Sequence, residues 1–375
     1  MDFEFRLPPK IVFGWGKLDT IGSEAGALGR KAMLITGKGS MAKYGVLERA
    51  KNQLRKAGVA TLDFSGVEED PCLETVDRLT AEIQRNKCDL VIGIGGGSCL
   101  DAAKASSGMA TQTQGEKVRD YLDFSAKKLD RPGIFFIAVP ATAGTGTEVT
   151  KNSVLKDVDR NIKISLRSQY LIPTLAIVDP ELTLTVPPAV TAPTGMDALT
   201  HAVEAYVSLG SEPVSDVLAE KAIHLIGEYL PQVYKNGKDK TGRIQMMLAS
   251  LLAGMAFANA GLGASHALSH PVGARFKVPH GVANALLLPA VLEFNRKACP
   301  EKMKNIARLL NNRNAAQAVR KLNRVLNLPE GLSDYGIKET DIPGMTDDTK
   351  LSGAVKSNPR QANPDDLAWI LKKSL

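Results

Sequence analysis

Cysteine and histidine are both scarce in this chain of 375 residues, with 4 and 5 respectively. Cys72, Cys88, Cys99 and Cys299 form no C-x-x-C pair. That excludes a disulfide-stapled scaffold and a cysteine zinc cluster. The N-terminus, Met-Asp-Phe-Glu-Phe-Arg, lacks the apolar core of a secretion signal. No apolar run approaches the roughly 20 residues that span a bilayer. These absences predict a cytoplasmic protein with reduced thiols and no membrane contact. Charge of one sign is missing too, since 47 Lys and Arg stand against 40 Asp and Glu for a net charge of +7. The densest basic stretch, Arg296 to Arg324, reads as the solvated face of one or two helices, and no nucleic-acid partner is expected.

What is present is ordinary globular composition, 44% hydrophobic and 23% charged. The length suits two domains at about 100–200 residues each. In the first half, short apolar runs alternate with helical spacing. Lys31–Thr36, Thr61–Ser65, Asp89–Ile94, Ile134–Val139 and Leu175–Val178 read as strands, and Val46–Lys56 and Leu73–Gln84 as helices. This alternation predicts an α/β domain with a parallel sheet flanked by helices. After about residue 185 only helical periodicity remains. We expect helices over 197–207, 214–233, 242–259, 264–273, 282–293 and 315–325. Asn363-Pro364 reads as an N-cap opening a last helix to about Lys373. The expected domains are 1–184 and 185–375.

Two glycine-rich turns follow strands. Gly95, Gly96, Gly97 and Ser98 lie between a strand and a helix, where free N–H groups and the helix terminus suit a pyrophosphate. Asp101 is placed to cap that turn or meet a ribose. Pro140 to Glu148, with Thr142 and Thr145, is the second turn. Loops at the carboxyl ends of strands in open α/β sheets bind ligands, so the pair points to a dinucleotide. The first βα unit ends Gly37-Lys38-Gly39-Ser40, with no carboxylate for a ribose 2′-OH. A cation and a hydroxyl there favour NADP(H) over NAD(H).

Four of the 5 histidines fall in short windows. Asp197 and His201 are four residues apart, as are His266 and His270, so each pair shares a helix face. His280 stands on a turn before an apolar helix. One carboxylate with imidazoles suits Fe2+ or Zn2+, although spacing leaves open which of His266 and His270 is the ligand. His224, alone in an amphipathic helix, reads as structural. A metal acting as Lewis acid on an alcohol or aldehyde oxygen, together with a dinucleotide hydride carrier, suggests a dehydrogenase.

The strings Gly195-Met-Asp-Ala-Leu-Thr-His-Ala-Val-Glu-Ala-Tyr206, Gly261-Leu-Gly-Ala-Ser-His-Ala-Leu-Ser-His-Pro-Val-Gly273 and Pro279-His-Gly-Val-Ala-Asn284 are similar to the metal-binding signatures of the iron-containing (group III) alcohol dehydrogenases. The similarity runs from about Lys10 to the last helix. It implies a dehydroquinate synthase-like architecture, an N-terminal nucleotide-binding domain followed by an all-helical one, in a homodimer. It also implies metal ligands at Asp197, His201, His266 and His280. His270 then corresponds to a non-ligand histidine near substrate and nicotinamide, either relaying a proton or only shaping the pocket, and Phe257 to a wall of the substrate pocket. Cofactor contacts carry over to Gly95, Gly96, Gly97, Ser98, Thr142, Thr145, Asn152, Lys163 and Leu182. NAD-using members carry aspartate where this chain has Gly37, which again favours NADP(H). The activity implied is interconversion of a small primary alcohol or diol with its aldehyde. The alternative within the superfamily is a glycerol dehydrogenase-like or other zinc-dependent enzyme.

Overall fold

The structure, a computed structural model, describes residues 2–160, 162–349 and 353–375. The chain divides into two compact units. One holds Leu7–Thr142 and Thr147–Thr185. The other holds Val186–Leu375, Ala143–Gly146 and the N-terminal residues up to Arg6.

In the first unit the short apolar runs are strands, as runs of this length closed by glycine or proline should be. They are β1 (Lys10–Phe13), β2 (Lys31–Gly37), β3 (Ala60–Val67), β4 (Leu90–Gly95) and β5 (Phe135–Pro140), then β6 (Asn152–Asp157), β7 (Ile162–Arg167) and β8 (Leu175–Val178). Six of these form a parallel sheet in the order β1-β8-β5-β4-β2-β3, and β6 and β7 form an antiparallel hairpin. Helices α1 (Ile21–Leu28), α2 (Ser40–Lys43), α3 (Val46–Lys56), α4 (Leu73–Arg85) and α5 (Gly97–Met109) lie between strands. Every residue of β4 is buried, as a sheet covered on both faces requires. Leu34, Ile92 and Ile137 share one core with Leu54 of α3. Met33, Val91 and Phe136 share the other with Leu79 of α4 and Leu100 of α5.

The sheet order reverses between β2 and β4. From β2 the chain steps out to β3, then returns to β4 on the other side and continues to β5. Such a reversal opens a crevice at the carboxyl ends of the strands. Thr36 of β2 is level with Ile94 of β4, and Gly95 of β4 with Pro140 of β5. The turns after Gly37, Gly95 and Pro140 therefore leave the sheet side by side.

The second unit is helical: α6 (Pro188–Val207), α7 (Pro213–Lys235), α8 (Lys240–Ala260), α9 (Ala264–Phe276), α10 (His280–Asn295), α11 (Pro300–Leu309), α12 (Ala315–Val325), α13 (Ile342–Thr349) and α14 (Pro364–Lys373). The basic stretch lies on α11 and α12. The Asn363 side chain accepts from Asp366 N at 2.9 Å and so caps α14. Helix α6 starts at Pro188 rather than near Asp197, because proline fits the first helical position, where its missing N–H has no intrahelical partner. Among the described residues no single helix is long and apolar enough to cross a membrane; α8 and α9 pass only as a pair, and that pair is bent by 104°.

Candidate functional site

Helix α6 places Asp197, His201 and Glu204 at i, i+4 and i+7, one stripe along its length. His266 and His270 lie one turn apart on α9, and His280 is the first residue of α10. Gly281 lets α10 approach α6, since a Cβ there would stand 2.1 Å from the Pro193 carbonyl oxygen.

These elements bring their donors together. One ligand atom from each of Asp197, His201 and His266 lies within 4.8 Å of the others, and all three residues are buried. His266 Nε2 is 3.6 Å and His280 Nε2 3.5 Å from Asp197 Oδ1. The Asn284 amide nitrogen donates to Asp197 Oδ1 at 2.8 Å and approaches His266 Nε2 at 3.1 Å and His280 Nε2 at 3.2 Å. An NH2 group only donates, so three acceptor lone pairs face one small region. That is the arrangement a cation needs. The opposite ring nitrogens are held by the protein. His266 Nδ1 donates to Glu204 Oε2 at 2.7 Å, and His201 Nδ1 to the Gly144 carbonyl at 3.3 Å. In the neutral ring, each bond leaves Nε2 with its lone pair.

Electrostatics follow the same geometry. Burial would raise the Asp197 carboxyl, but His201, His280 and His266 outweigh it and hold the group well below the usual range. Burial drives His201 down to about 3. For His266 burial is overcome by Asp197 and Glu204, which bring it up to about 9.

Phe257 of α8 stacks on the His201 ring, with centroids 4.3 Å apart and planes at 18°, and His266 stacks on the other side at 4.4 Å. Phe257, expected as a pocket wall, is only 7% exposed and holds a histidine ring. His270 lies with its ring centroid 5.7 Å from that of His280. His224 stands apart, 3.6 Å from Glu228 on the same helix.

In the first unit Gly95 ends β4, Gly96 caps α5, and Gly97 and Ser98 form its first turn. A Cβ at Gly95 would meet Cys99 Cβ at 2.9 Å, so the turn is tight because glycine allows it. Thr142 lies beside Gly96. Asp70 N donates to Ser98 Oγ at 3.2 Å, and Asp70 pairs with Lys163 Nζ at 2.7 Å. Lys163, which reads as a surface lysine by itself, has a side chain only 7% exposed. Asn152 opens β6, and Lys38 and Ser40 are exposed beyond Gly37. Two candidates turn inward. Asp101 accepts from Thr147 Oγ1 and from Val154 N at 2.9 Å, so both carboxylate oxygens are engaged by protein. Leu182 packs into the core beneath the sheet.

Comparison with known proteins decides the family. The profile described as "Iron-containing alcohol dehydrogenase" matches residues 8–180, and that described as "Fe-containing alcohol dehydrogenase family, C-terminal" matches 191–375. The chain belongs to the iron-containing alcohol dehydrogenase family. It is 38% identical to 1,3-propanediol dehydrogenase of Klebsiella pneumoniae, over 99% of this chain and 98% of that protein. It is 40% identical to NADPH-dependent butanol dehydrogenase of Clostridium saccharobutylicum, over 98% and 97%. It is 36% identical to NAD-dependent methanol dehydrogenase of Bacillus methanolicus, over 99% of each. A crystal structure of 1,3-propanediol oxidoreductase superposes with a TM-score of 0.95 at 38% identity, covering 100% of both chains. Membership makes this protein an alcohol dehydrogenase that uses a metal and a nicotinamide dinucleotide.

Two parts of this alcohol dehydrogenase are not signalled by motif spacing. Glu204 and Asn284 join the histidine cluster; both lie inside the signature strings, but neither is marked there as a ligand. The second part is a buried group behind the phosphate turn. Lys104 Nζ donates among Thr147 O, Thr147 Oγ1, Thr150 Oγ1 and Asn152 O, at 2.8–2.9 Å. Glu148 is buried beside it, with Oε1 unpartnered among the described residues. Burial pushes Lys104 down to about 8, against Asp101 and Glu148. Burial pushes Glu148 up to about 7 from 4.5, against Lys104. A carboxyl raised on folding stabilises the protein below its unfolded value, and that contribution is lost as pH rises through the folded value. Stability from Glu148 therefore falls progressively as pH rises from 4.5 to about 7 and stays lost above that. Glu148→Gln, a neutral isostere, removes that dependence. Scanning calorimetry should show wild-type Tm falling by a few degrees relative to the variant between about pH 5 and about pH 8. Parallel curves would contradict a titrating Glu148.

Proposed function

We propose that this alcohol dehydrogenase interconverts small primary alcohols or diols with their aldehydes, using NADP(H) in preference to NAD(H) and a divalent metal held by Asp197, His201, His266 and His280. The observation that carries the reading is the convergence of Asp197 Oδ1, His266 Nε2 and His280 Nε2 on the Asn284 amide. Three imidazole nitrogens and one carboxylate oxygen suit Fe2+ or Zn2+. A metal bound there supplies Lewis acidity to the substrate oxygen, and the nicotinamide supplies or accepts the hydride.

The chain's own residues do the rest. Asp197 brings the negative charge. Glu204, Gly144 and Phe257 fix the orientation of His266 and His201. His270 is the candidate to hold or pass the alcohol proton. The turn at Gly95–Ser98 receives the pyrophosphate, and Thr142, Thr145, Asn152 and Lys163 orient the rest of the dinucleotide. Lys38 and Ser40, exposed at the end of β2, favour a 2′-phosphate. The names of the propanediol, butanol and methanol relatives support the substrate class.

The test is the initial rate of butanal reduction by protein stripped with chelator and reloaded anaerobically with Fe2+ or Zn2+. Turnover should return only with metal and be faster with NADPH than NADH. Turnover without metal removes the metal assignment, and faster turnover with NADH removes the cofactor assignment.

A further inference from the structure

Glu204 is 2% exposed and has no lysine or arginine partner among the described residues. Its carboxylate instead gathers three N–H groups from the turn where α9 begins. Oε1 accepts from Ser265 N at 2.6 Å, and Oε2 accepts from Gly263 N at 2.9 Å and from His266 Nδ1 at 2.7 Å. The N-cap residue of α9, Gly263, has no side chain with which to cap. A Cβ at Gly263 would lie 3.0 Å from Glu204 Oε1, so glycine makes room for the carboxylate. A side chain from α6 thus caps α9, where the helix terminus also favours an anion. The same side chain orients a histidine on that helix.

We propose that Glu204 is a positioning residue of the metal centre. The inference rests on the reading that Asp197, His201, His266 and His280 bind the metal. Glu204 acts twice: it accepts the hydrogen bond from His266 Nδ1, presenting Nε2 toward Asp197, and it ties the ligands of α6 to those of α9. Asp197 and Glu204 are both buried, 3% and 2% exposed, so two carboxyl groups line the cluster. Carboxylates that receive the second N–H of a ligand histidine typically change metal affinity 10–100-fold when replaced.

The test is Co2+ affinity of the full chain by competition with a chromophoric chelator, with the visible d–d spectrum of bound Co2+ as a second readout. Wild type, Asp197→Asn, Glu204→Gln and Glu204→Asp are compared. Glu204→Gln should weaken Co2+ binding about 10–100-fold and shift the spectrum. If Glu204→Gln does not fold, Glu204→Asp decides: it keeps the charge but shortens the reach, and should also weaken binding. Wild-type affinity and spectrum in a folded Glu204 variant, with only Tm reduced, would leave Glu204 as a helix cap and overturn the proposal. Equal affinity in wild type and Asp197→Asn would instead overturn the ligand assignment beneath it.

Discussion

Replacing Asp197 by asparagine should lower kcat/KM for alcohol oxidation by about 10³-fold or more while leaving the protein folded. Asp197 is the one carboxylate in the proposed donor set, and it is 3% exposed. Its histidine neighbours keep it ionised across the working pH range. Asparagine has nearly the same volume and can still accept the Asn284 hydrogen bond, so packing is retained. What disappears is the negative charge that favours a divalent cation over water. Loss of Lewis-acid stabilisation costs several kcal/mol of barrier, and each 1.36 kcal/mol is tenfold in rate. Steady-state kinetics read the activity, plasma emission spectrometry reads the metal content, and circular dichroism reports the fold. A folded variant with wild-type metal and turnover would show that Asp197 is not a ligand.

The second large effect belongs to Gly37. Gly37→Asp should lower the NADPH-to-NADH ratio of kcat/KM by roughly 10²–10³-fold. The strand can accept the side chain, since a Cβ at Gly37 would meet only the Val67 carbonyl oxygen, at 3.7 Å, an ordinary contact. The new carboxylate would stand at the carboxyl end of β2, beside the reversal in strand order. There it would accept from a ribose 2′-OH and repel a 2′-phosphate. Like charges brought together at a binding site cost several kcal/mol. Lys38→Ala is the matched control and should weaken NADPH use while sparing NADH. An unchanged ratio in Gly37→Asp would place the adenosine ribose elsewhere.

The cluster of Asp197 with the histidines was legible because its parts are rare and regularly spaced. In a chain with 5 histidines, two i, i+4 pairs are a strong pattern. The sequence does not reveal how α6, α9 and α10 meet. Gly281 against Pro193 and Glu204 against Gly263 are contacts between distant segments, and glutamate or asparagine on a helix reads as surface. The parallel sheet was legible from β2, β4, β5 and β8, whose apolar runs are dense. The β6–β7 hairpin was not. The inward positions of β6 are Ser153, Leu155 and Asp157, two of them polar. Ser153 is satisfied by the Asp101 carbonyl, and Asp157 by Arg119. Burial there runs on hydrogen bonds and charge, which hydropathy does not register. The Thr147 and Val154 partners of Asp101 were hidden for a related reason, since a carboxylate after a glycine turn suits a ribose as well as a threonine.

The central claim is that Asp197, His201, His266 and His280 together hold the metal of this alcohol dehydrogenase. Crystals of the Fe2+-loaded protein, measured on both sides of the iron absorption edge, test it most directly. The account predicts a strong anomalous peak enclosed by those four side chains, with the Asn284 amide turned away from it. An iron peak elsewhere, or one that excludes Asp197 or His280, would contradict it.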